Sequence, residues 1–202
     1  ADRMYKALKR MGVAVSKIEI DPDAADYEEV VAQALTNDPD TVYVSTYFPQ
    51  GALIAKALLA QKDAGASTRC FMGLANQDPG FITAAGIPAS QNCVFSGSPT
   101  PTQFKNRRAK AYVRNYRKVF GKTPGTWGIY TYDSVYLWAR AVEAAGSTDI
   151  DAFGAQILRT KNQAGATGPI TIARRTGNRT NVPVAILGVS SKGTFVLESV
   201  HR

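Results

Sequence analysis

The chain has 202 residues, 45% hydrophobic and 20% charged, with 24 Lys and Arg against 16 Asp and Glu for a formal net charge of +8. That length accommodates one large domain or two small ones with a substantial core, and the composition is that of a globular protein. No stretch reaches the ~20 apolar residues of a membrane span, and the opening ADRMYKALKRMG lacks the apolar h-region of a signal peptide.

Met4, Leu8 and Met11 recur at helical spacing and predict a first helix stopped by Gly12. VAVSKIEI (13–20) reads as a strand. A second helix is expected within DPDAADYEEVVAQALTND, with Asp26 as N-cap, Glu29 completing a capping box, and Tyr27, Val30, Val31 and Ala34 on its apolar face. TVYVST is a strand that passes through Tyr47-Phe48 into a helix running from Pro49 or Gln50 to Asp63. RCFMG is the next strand, DPGFITAAG a short helix, and NCVFSG a further strand. Short apolar strands alternating with longer helices are the pattern of an α/β protein with a doubly wound parallel sheet. The first helix lacks the strand that introduces each later one, which a right-handed crossover unit requires. A segment ahead of Ala1 is therefore expected.

After Gly97 the texture changes. SPTPT is a breaker-rich connection, followed by a basic helix (103–120) on which Tyr112, Tyr116, Val119 and Phe120 fall at i, i+4, i+7 and i+8 and are expected to face a core. A long helix across WGIYTYDSVYLWARAVEAAG should turn Tyr132, Val135, Tyr136, Ala139 and Val142 inward, and another helix covers 150–160. The end is β: GPITIA, a turn around RRTGNRT, VPVAILGVS, a turn at Lys192-Gly193, and TFVLESV.

Charge is segregated along the chain. From Glu19 to Asp40 there are eight acids and no base, whereas no acid lies between Asp78 and Asp133, where FKNRRAKAYVRNYRKVFGK carries eight bases. A basic helix can contact phosphates, but the aromatic stripe assigns these bases to a solvated face, so no nucleic-acid partner is expected.

The residues of bond-breaking chemistry are missing. The single histidine, His201, removes Ser-His-Asp, Cys-His and histidine-metal sites, so neither an enzyme nor a metal centre is expected. DPDAAD lacks the glycine and glutamate of a calcium loop, and FGKTPG lacks the upstream glycine of a phosphate loop. Cys70 and Cys93 match no zinc spacing. They are either bonded, in an oxidising compartment, or buried free thiols.

What remains is the edge where strands end and helices begin, the place where open α/β sheets bind ligands. Tyr47 offers a ring and a hydroxyl, Phe48 a second ring, and the following helix free N–H groups. The next strand ends in GLANQD, which brings Asn76 and Gln77 to the same rim. Aromatic walls with a few amides suit a small uncharged or anionic organic solute held without chemistry and without a cofactor.

Four blocks carry a family resemblance: PDTVYVSTYFPQGALIAKALLAQ, RCFMGLANQDPGFITAAG, AYVRNYRKVFGKTPGTWGIYTYDSVYLWARAVEAAGSTD and GATGPITIARRTGNRTNVPVAILGVSSKGTFV. In this order and spacing the chain resembles the last three-fifths of the branched-chain amino-acid-binding family. Those proteins are extracytoplasmic solute receptors of ABC importers with the type I periplasmic-binding-protein fold. The resemblance implies a two-lobed receptor closing on its ligand. Residues 1–97 with 190–202 would form the C-terminal lobe, and 98–189 the remainder of an N-terminal lobe whose other part is absent. The chain would cross between lobes near Ser98 and Gly188.

The implied partners are a small-molecule solute and the permease subunits of the importer, contacted through both lobes. The implied location is periplasmic or extracytoplasmic, after removal of a signal sequence outside this chain. Exposed N-lobe surface would favour self-association. A ligand-sensing domain of an amide- or amino-acid-responsive regulator or receptor is the alternative within the same fold. By resemblance Tyr47 lines the pocket of members that bind aliphatic amino acids. The acid that pairs with the ligand's ammonium group in the family falls at Ala75, where this sequence departs. The expected ligand is therefore an aromatic or short organic acid, or an amide, with Asn76 or Gln77 supplying replacement hydrogen bonds.

Overall fold

The computed structural model describes residues 2–201. In chain order its elements are α1 (Asp2–Arg10), α2 (Glu28–Leu35), β1 (Thr41–Val44), α3 (Phe48–Asp63), β2 (Arg69–Met72), a 3₁₀ turn (Leu74–Asn76), α4 (Pro79–Ala85), α5 (Ile87–Gln91), β3 (Cys93–Gly97), α6 (Arg107–Phe120), α7 (Gly128–Ala145), α8 (Ile150–Ile157), β4 (Gln163–Gly165), β5 (Gly168–Ile170), β6 (Val184–Val189) and β7 (Phe195–His201). They divide into two compact units. Unit 1 is the chain up to Gly97 together with Ala185–Ser199, and unit 2 is Ser98–Val184 together with the residues from Val200.

Unit 1 is built on a five-stranded sheet of order β1-β2-β3-β6-β7. The first three strands are parallel, in the register Val42↔Cys70↔Cys93, as alternation with helices requires. β6 is antiparallel to β3, pairing Leu187 with Phe95 and Ala185 with Gly97. The sheet therefore combines the expected parallel strands β1–β3 with an antiparallel β6. The chain re-enters unit 1 at Val184–Ala185, ahead of the expected crossing near Gly188 and the lobe boundary at 189/190. The cause is the alternation of β6, whose Ala185, Leu187 and Val189 are buried in the core of unit 1.

That core lies between the sheet and α3, α4 and α5. α3 supplies Ala52, Ile54, Ala55, Ala57 and Leu58, and the sheet supplies Val44, Met72, Phe95 and Leu187. Phe95 takes Phe81 and Phe195 edge-on, each with ring centroids 5.1 Å apart. Cys70 and Cys93, opposite each other on β2 and β3, form a disulfide across a sequence separation of 23, which resolves the two thiol alternatives.

Two expectations in this unit are corrected. VAVSKIEI belongs to no strand; residues 13–20 do not pair with β1 although its outer edge is free, so strand-like composition is insufficient here. Asp26 is not the N-cap of α2. Tyr27 occupies that position, with its ring buried in the core and its hydroxyl donating to the Asp21 carbonyl at 2.7 Å. Its burial shifts the helix start by one residue and pushes the phenol pKa upward. The Asp26 carboxylate still accepts from the Glu28 N–H, at 3.3 Å.

Unit 2 packs α6 and α7 around Ala109, Tyr112, Ile129 and Ala166. Asn106 caps α6, accepting from the Ala109 N–H at 3.0 Å and donating to the Ala166 carbonyl at 2.7 Å. The aromatic stripe of α6 is covered only at its first half. Tyr112 is buried, but Val119 and Phe120 are 71% and 59% exposed; on the last turn the Phe120 ring packs on Tyr116 of the same helix, with centroids 4.5 Å apart. On α7 the expected inward stripe is likewise corrected. Val135 and Tyr136 are exposed, and the buried positions are Ile129, Asp133 and Ala141.

Asp133 explains this rotation. Its carboxylate accepts from the Ala166 N–H and the Thr167 N–H, both at 2.7 Å, and from the Thr167 hydroxyl. Arg179 closes the cluster by donating to Thr167 Oγ1 at 2.6 Å and to the Thr167 and Pro169 carbonyls, both at 3.2 Å. Burial lowers the Arg179 pKa, opposed by the nearby Asp133 charge. Three charge-assisted bonds outweigh an apolar stripe and fix which face of the helix turns inward. The turn they hold joins β4 to β5, an antiparallel hairpin of which only β5 was expected.

Candidate functional site

The carboxyl edge of β1 and β2 is shaped by two connections, 45–50 and 73–78. β1 ends at Val44, and its ladder runs on through a bond from the Gly73 N–H to the Val44 carbonyl at 2.8 Å. The chain then turns at Tyr47, the N-cap of α3, whose extended backbone (φ −76°, ψ 163°) aims the helix start out of the sheet. No side chain caps α3, and Pro49 occupies its first turn, where its missing N–H costs nothing. The Gln50 amide reaches back to the Pro22 carbonyl at 3.0 Å and ties the helix start to the loop ahead of α2.

After β2 the chain tightens into the 3₁₀ turn, with Asn76 N–H bonded to the Gly73 carbonyl at 3.0 Å and Gln77 N–H to the Leu74 carbonyl at 3.1 Å. Asp78 then caps α4, its carboxylate accepting from the Gly80 N–H at 2.7 Å. This turn decides the direction of each side chain that follows the strand.

All five expected site residues lie on this edge, and they separate into two groups. Tyr47 is 75% exposed and Ala75 is also exposed, so both present to solvent. Phe48 is half-buried, packs on the core and has its ring against Gly80. Asn76 and Gln77 are 0% and 1% exposed. Asn76 donates to the Thr46 carbonyl at 2.9 Å, which locks the two loops together, and its Oδ1, without a hydrogen-bond partner, packs over Gly51. Gln77 lies over the α-carbon of Gly97 at the end of β3. In this structure the two amides are thus buried between neighbouring strand ends and are not exposed on the rim. Their glycine partners, Gly51 and Gly97, were not expected to matter. The available signal was a glycine in the first turn of a helix and another as the last residue of a strand, positions where a close approach is a usual reason for glycine.

The edge holds an exposed phenol, a half-buried ring, a small exposed alanine and the first turn of a helix. Its one acid, Asp78, is committed to the α4 cap. Among the described residues no group of three His, Cys, Asp or Glu side chains could hold a metal ion. Aromatic surface beside a helix start can hold an organic molecule, and the one carboxylate of this edge, Asp78, stands at the α4 cap.

The sequence model of the family described as Periplasmic binding protein matches residues 1–194. The chain belongs to that family. Solved structures agree with the assignment. A leucine-binding protein, LivK, from Thermotoga maritima is 25% identical, with a TM-score of 0.86 over 98% of this chain and 55% of its own. The branched-chain amino acid transporter substrate-binding protein LivJ from Streptococcus pneumoniae, in complex with isoleucine, is 20% identical, with a TM-score of 0.75 over 100% of this chain and 56% of its own. An ABC transporter solute-binding protein from R. palustris, in complex with benzoate, is 18% identical, with a TM-score of 0.73 over 98% of this chain and 53% of its own. This periplasmic binding protein therefore spans little more than half the length of these relatives. No curated protein matches it. Its α/β fold is that of type I binding proteins, and no helix among the described residues is long and apolar enough to cross a membrane.

Proposed function

We propose that this periplasmic binding protein is the solute-binding component of an ABC importer, capturing a small organic solute reversibly and without catalysis. The solute is an aromatic or short organic acid, or an amide, that lacks an α-amino group. The observation that carries the ligand class is the charge of the β1–β2 edge. Ala75 is exposed at the position where the family resemblance expects an acid, and Asp78, the next acid in the chain, is occupied by the α4 N–H. An ammonium group brought here would be desolvated without a partner, which typically costs several kcal/mol. The Tyr47 ring supplies stacking surface, and the uncapped start of α3 favours an anionic group. One structural relative is in complex with benzoate and another with isoleucine, so proteins of this fold include binders of an aromatic acid as well as of an amino acid.

An extracytoplasmic location and permease subunits as partners follow from the same reading. The Cys70–Cys93 disulfide supports the location, since such bonds persist in oxidising compartments. The test is a thermal-shift and calorimetry series on the longest natural form of the protein. Benzoate, other aromatic acids and short amides are compared with leucine, isoleucine and valine. Stabilisation is expected from the first group only, and Tyr47→Ala should weaken it about tenfold or more while leaving unliganded stability within ~0.5 kcal/mol. Stabilisation by leucine or valine alone would sink the ligand class.

A further inference from the structure

The basic helix α6 is not used by the solute site, and its charges do not all stand on an open face. A groove of about 390 Å³ runs between α6 and the connection that precedes it. Its floor is apolar: Pro101 is buried, and Phe104 and Val113 are half-buried. Its rim carries Lys105, Lys110, Arg114 and Arg117, all exposed. Lys110, Arg114 and Arg117 follow the i, i+4, i+7 rule along one side of the helix, with Val113 beside them. None of the four is in an ion pair among the described residues, and no acid occurs in the sequence from 79 to 132. Arg117 makes one neutral contact, a bond to the Thr123 hydroxyl at 3.3 Å.

The wall facing α6 is held in place. The Gln103 side chain accepts from the Thr100 N–H at 2.8 Å, and the Gln103 N–H bonds the Thr100 carbonyl at 2.9 Å. Tyr130 donates to the Pro99 carbonyl at 2.9 Å and takes the Phe104 ring edge-on at 6.0 Å. A cleft with fixed walls does not have to be ordered by its occupant, which lowers the cost of binding.

We propose that this groove binds an extended acidic segment of a partner protein, with carboxylates on alternate residues and an apolar side chain between them. Spacing selects that occupant. From Lys110 to Arg117 the helix rises about 10 Å, so the cations are strung out where a single phosphate would need them convergent. Carboxylates on alternate residues of an extended chain recur every ~6.6 Å, close to the ~6 Å rise from Lys110 to Arg114. The side chain on the other face of such a segment meets Val113 and Phe104. Backbone-tracking of a nucleic acid needs neither the apolar floor nor a groove this small.

The test is fluorescence anisotropy of a labelled Glu-Leu-Glu-Leu-Glu peptide at low and at near-physiological salt. Arg114→Glu is compared with Lys192→Glu, which makes the same change in net charge outside the groove. Binding should weaken as salt rises, weaken roughly tenfold or more in Arg114→Glu, and stay within about twofold of the parent in Lys192→Glu. Val113→Ala should weaken it roughly fivefold at unchanged salt dependence. Both reversed residues are exposed, and circular dichroism verifies that the variants are folded. The proposal is overturned if the two charge reversals behave alike, if the peptide does not bind at low salt, or if a short DNA duplex binds equally well. It is also overturned if inorganic phosphate at the peptide's own concentration competes it off, which marks a small-anion site. Salt-dependent self-association abolished by Arg114→Glu would assign the groove to a second copy of the chain instead.

Discussion

Replacing Asp133 by alanine takes away the acceptor for the Ala166 N–H, the Thr167 N–H and the Thr167 hydroxyl in one step. The hydroxyl can rotate, but the two backbone donors are fixed by the β4–β5 turn. Each buried N–H left without a partner costs ~1–3 kcal/mol, a gross loss of about 2–6 kcal/mol. Relief from burying a carboxylate returns part of this, and a net destabilisation of about 3 kcal/mol is expected. Asp133→Asn keeps one acceptor oxygen but turns an NH₂ group toward the second donor, so its loss should fall between zero and the alanine value. Both tryptophans of the chain, Trp127 and Trp138, lie at or on α7. Their fluorescence therefore reports unit 2. With a urea m-value of ~1–1.5 kcal/mol/M for a unit of this size, the Asp133→Ala midpoint should drop by roughly 2 M. A drop below ~0.3 M, or equal losses from Ala and Asn, would refute the claim that this carboxylate holds the 166–167 turn.

Three further outcomes are expected. Replacing Cys70 and Cys93 by serine releases a loop with a sequence separation of 23, for which chain entropy gives about 3 kcal/mol. A denaturation midpoint for unit 1 that is unchanged in the double variant would contradict that. Gly51→Ala drives a methyl group into the Asn76 side chain and should cost ~1–3 kcal/mol. Adding Asn76→Ala should recover part of the loss, and strict additivity in this double-mutant cycle would mean the two residues are not in contact. Burial raises the Tyr130 pKa to about 12. A phenol more protonated when folded contributes stability that is complete below pH ~10 and is lost as pH rises toward ~12. Tyr130→Phe should flatten that alkaline loss and cost about 1 kcal/mol at neutral pH for the bond to the Pro99 carbonyl. An alkaline unfolding profile identical to the parent's would assign the loss to other groups.

The α/β unit was largely legible. Short apolar runs such as TVYVST and RCFMG, bounded by helices, could pair only in parallel, and the structure pairs them so. Legibility failed where a partner, and not a pattern, decides. VAVSKIEI has strand composition without a strand beside it. Val119 and Phe120, and likewise Val135 and Tyr136, form good stripes, yet periodicity cannot say which stripe is covered. Gln163-Ala164-Gly165 is too short and too weakly apolar to announce β4. The candidate site shows the same division. The strand ends bring the five residues to one edge of the sheet, but whether an amide points to solvent or into the fold depends on a turn of three residues. Asp133 was the detectable omission. It is a lone acid at the end of a long acid-free stretch, on a helix rich in aromatic rings, which is the setting in which a carboxylate finds buried donors.

Because β6 and β7 return after the whole of unit 2, the half of unit 1 made first is an unfinished sheet during synthesis. Phe95 leaves the ribosome long before Phe195, the ring that completes its cluster. Until β6 follows, the β3 edge has no neighbour and stays open to chaperones or to another nascent chain. A polypeptide released before residue 184 should bind a hydrophobic dye more strongly than one that extends through β7. The order of synthesis thus makes β6 and β7 a checkpoint for the maturation of β1, β2 and β3.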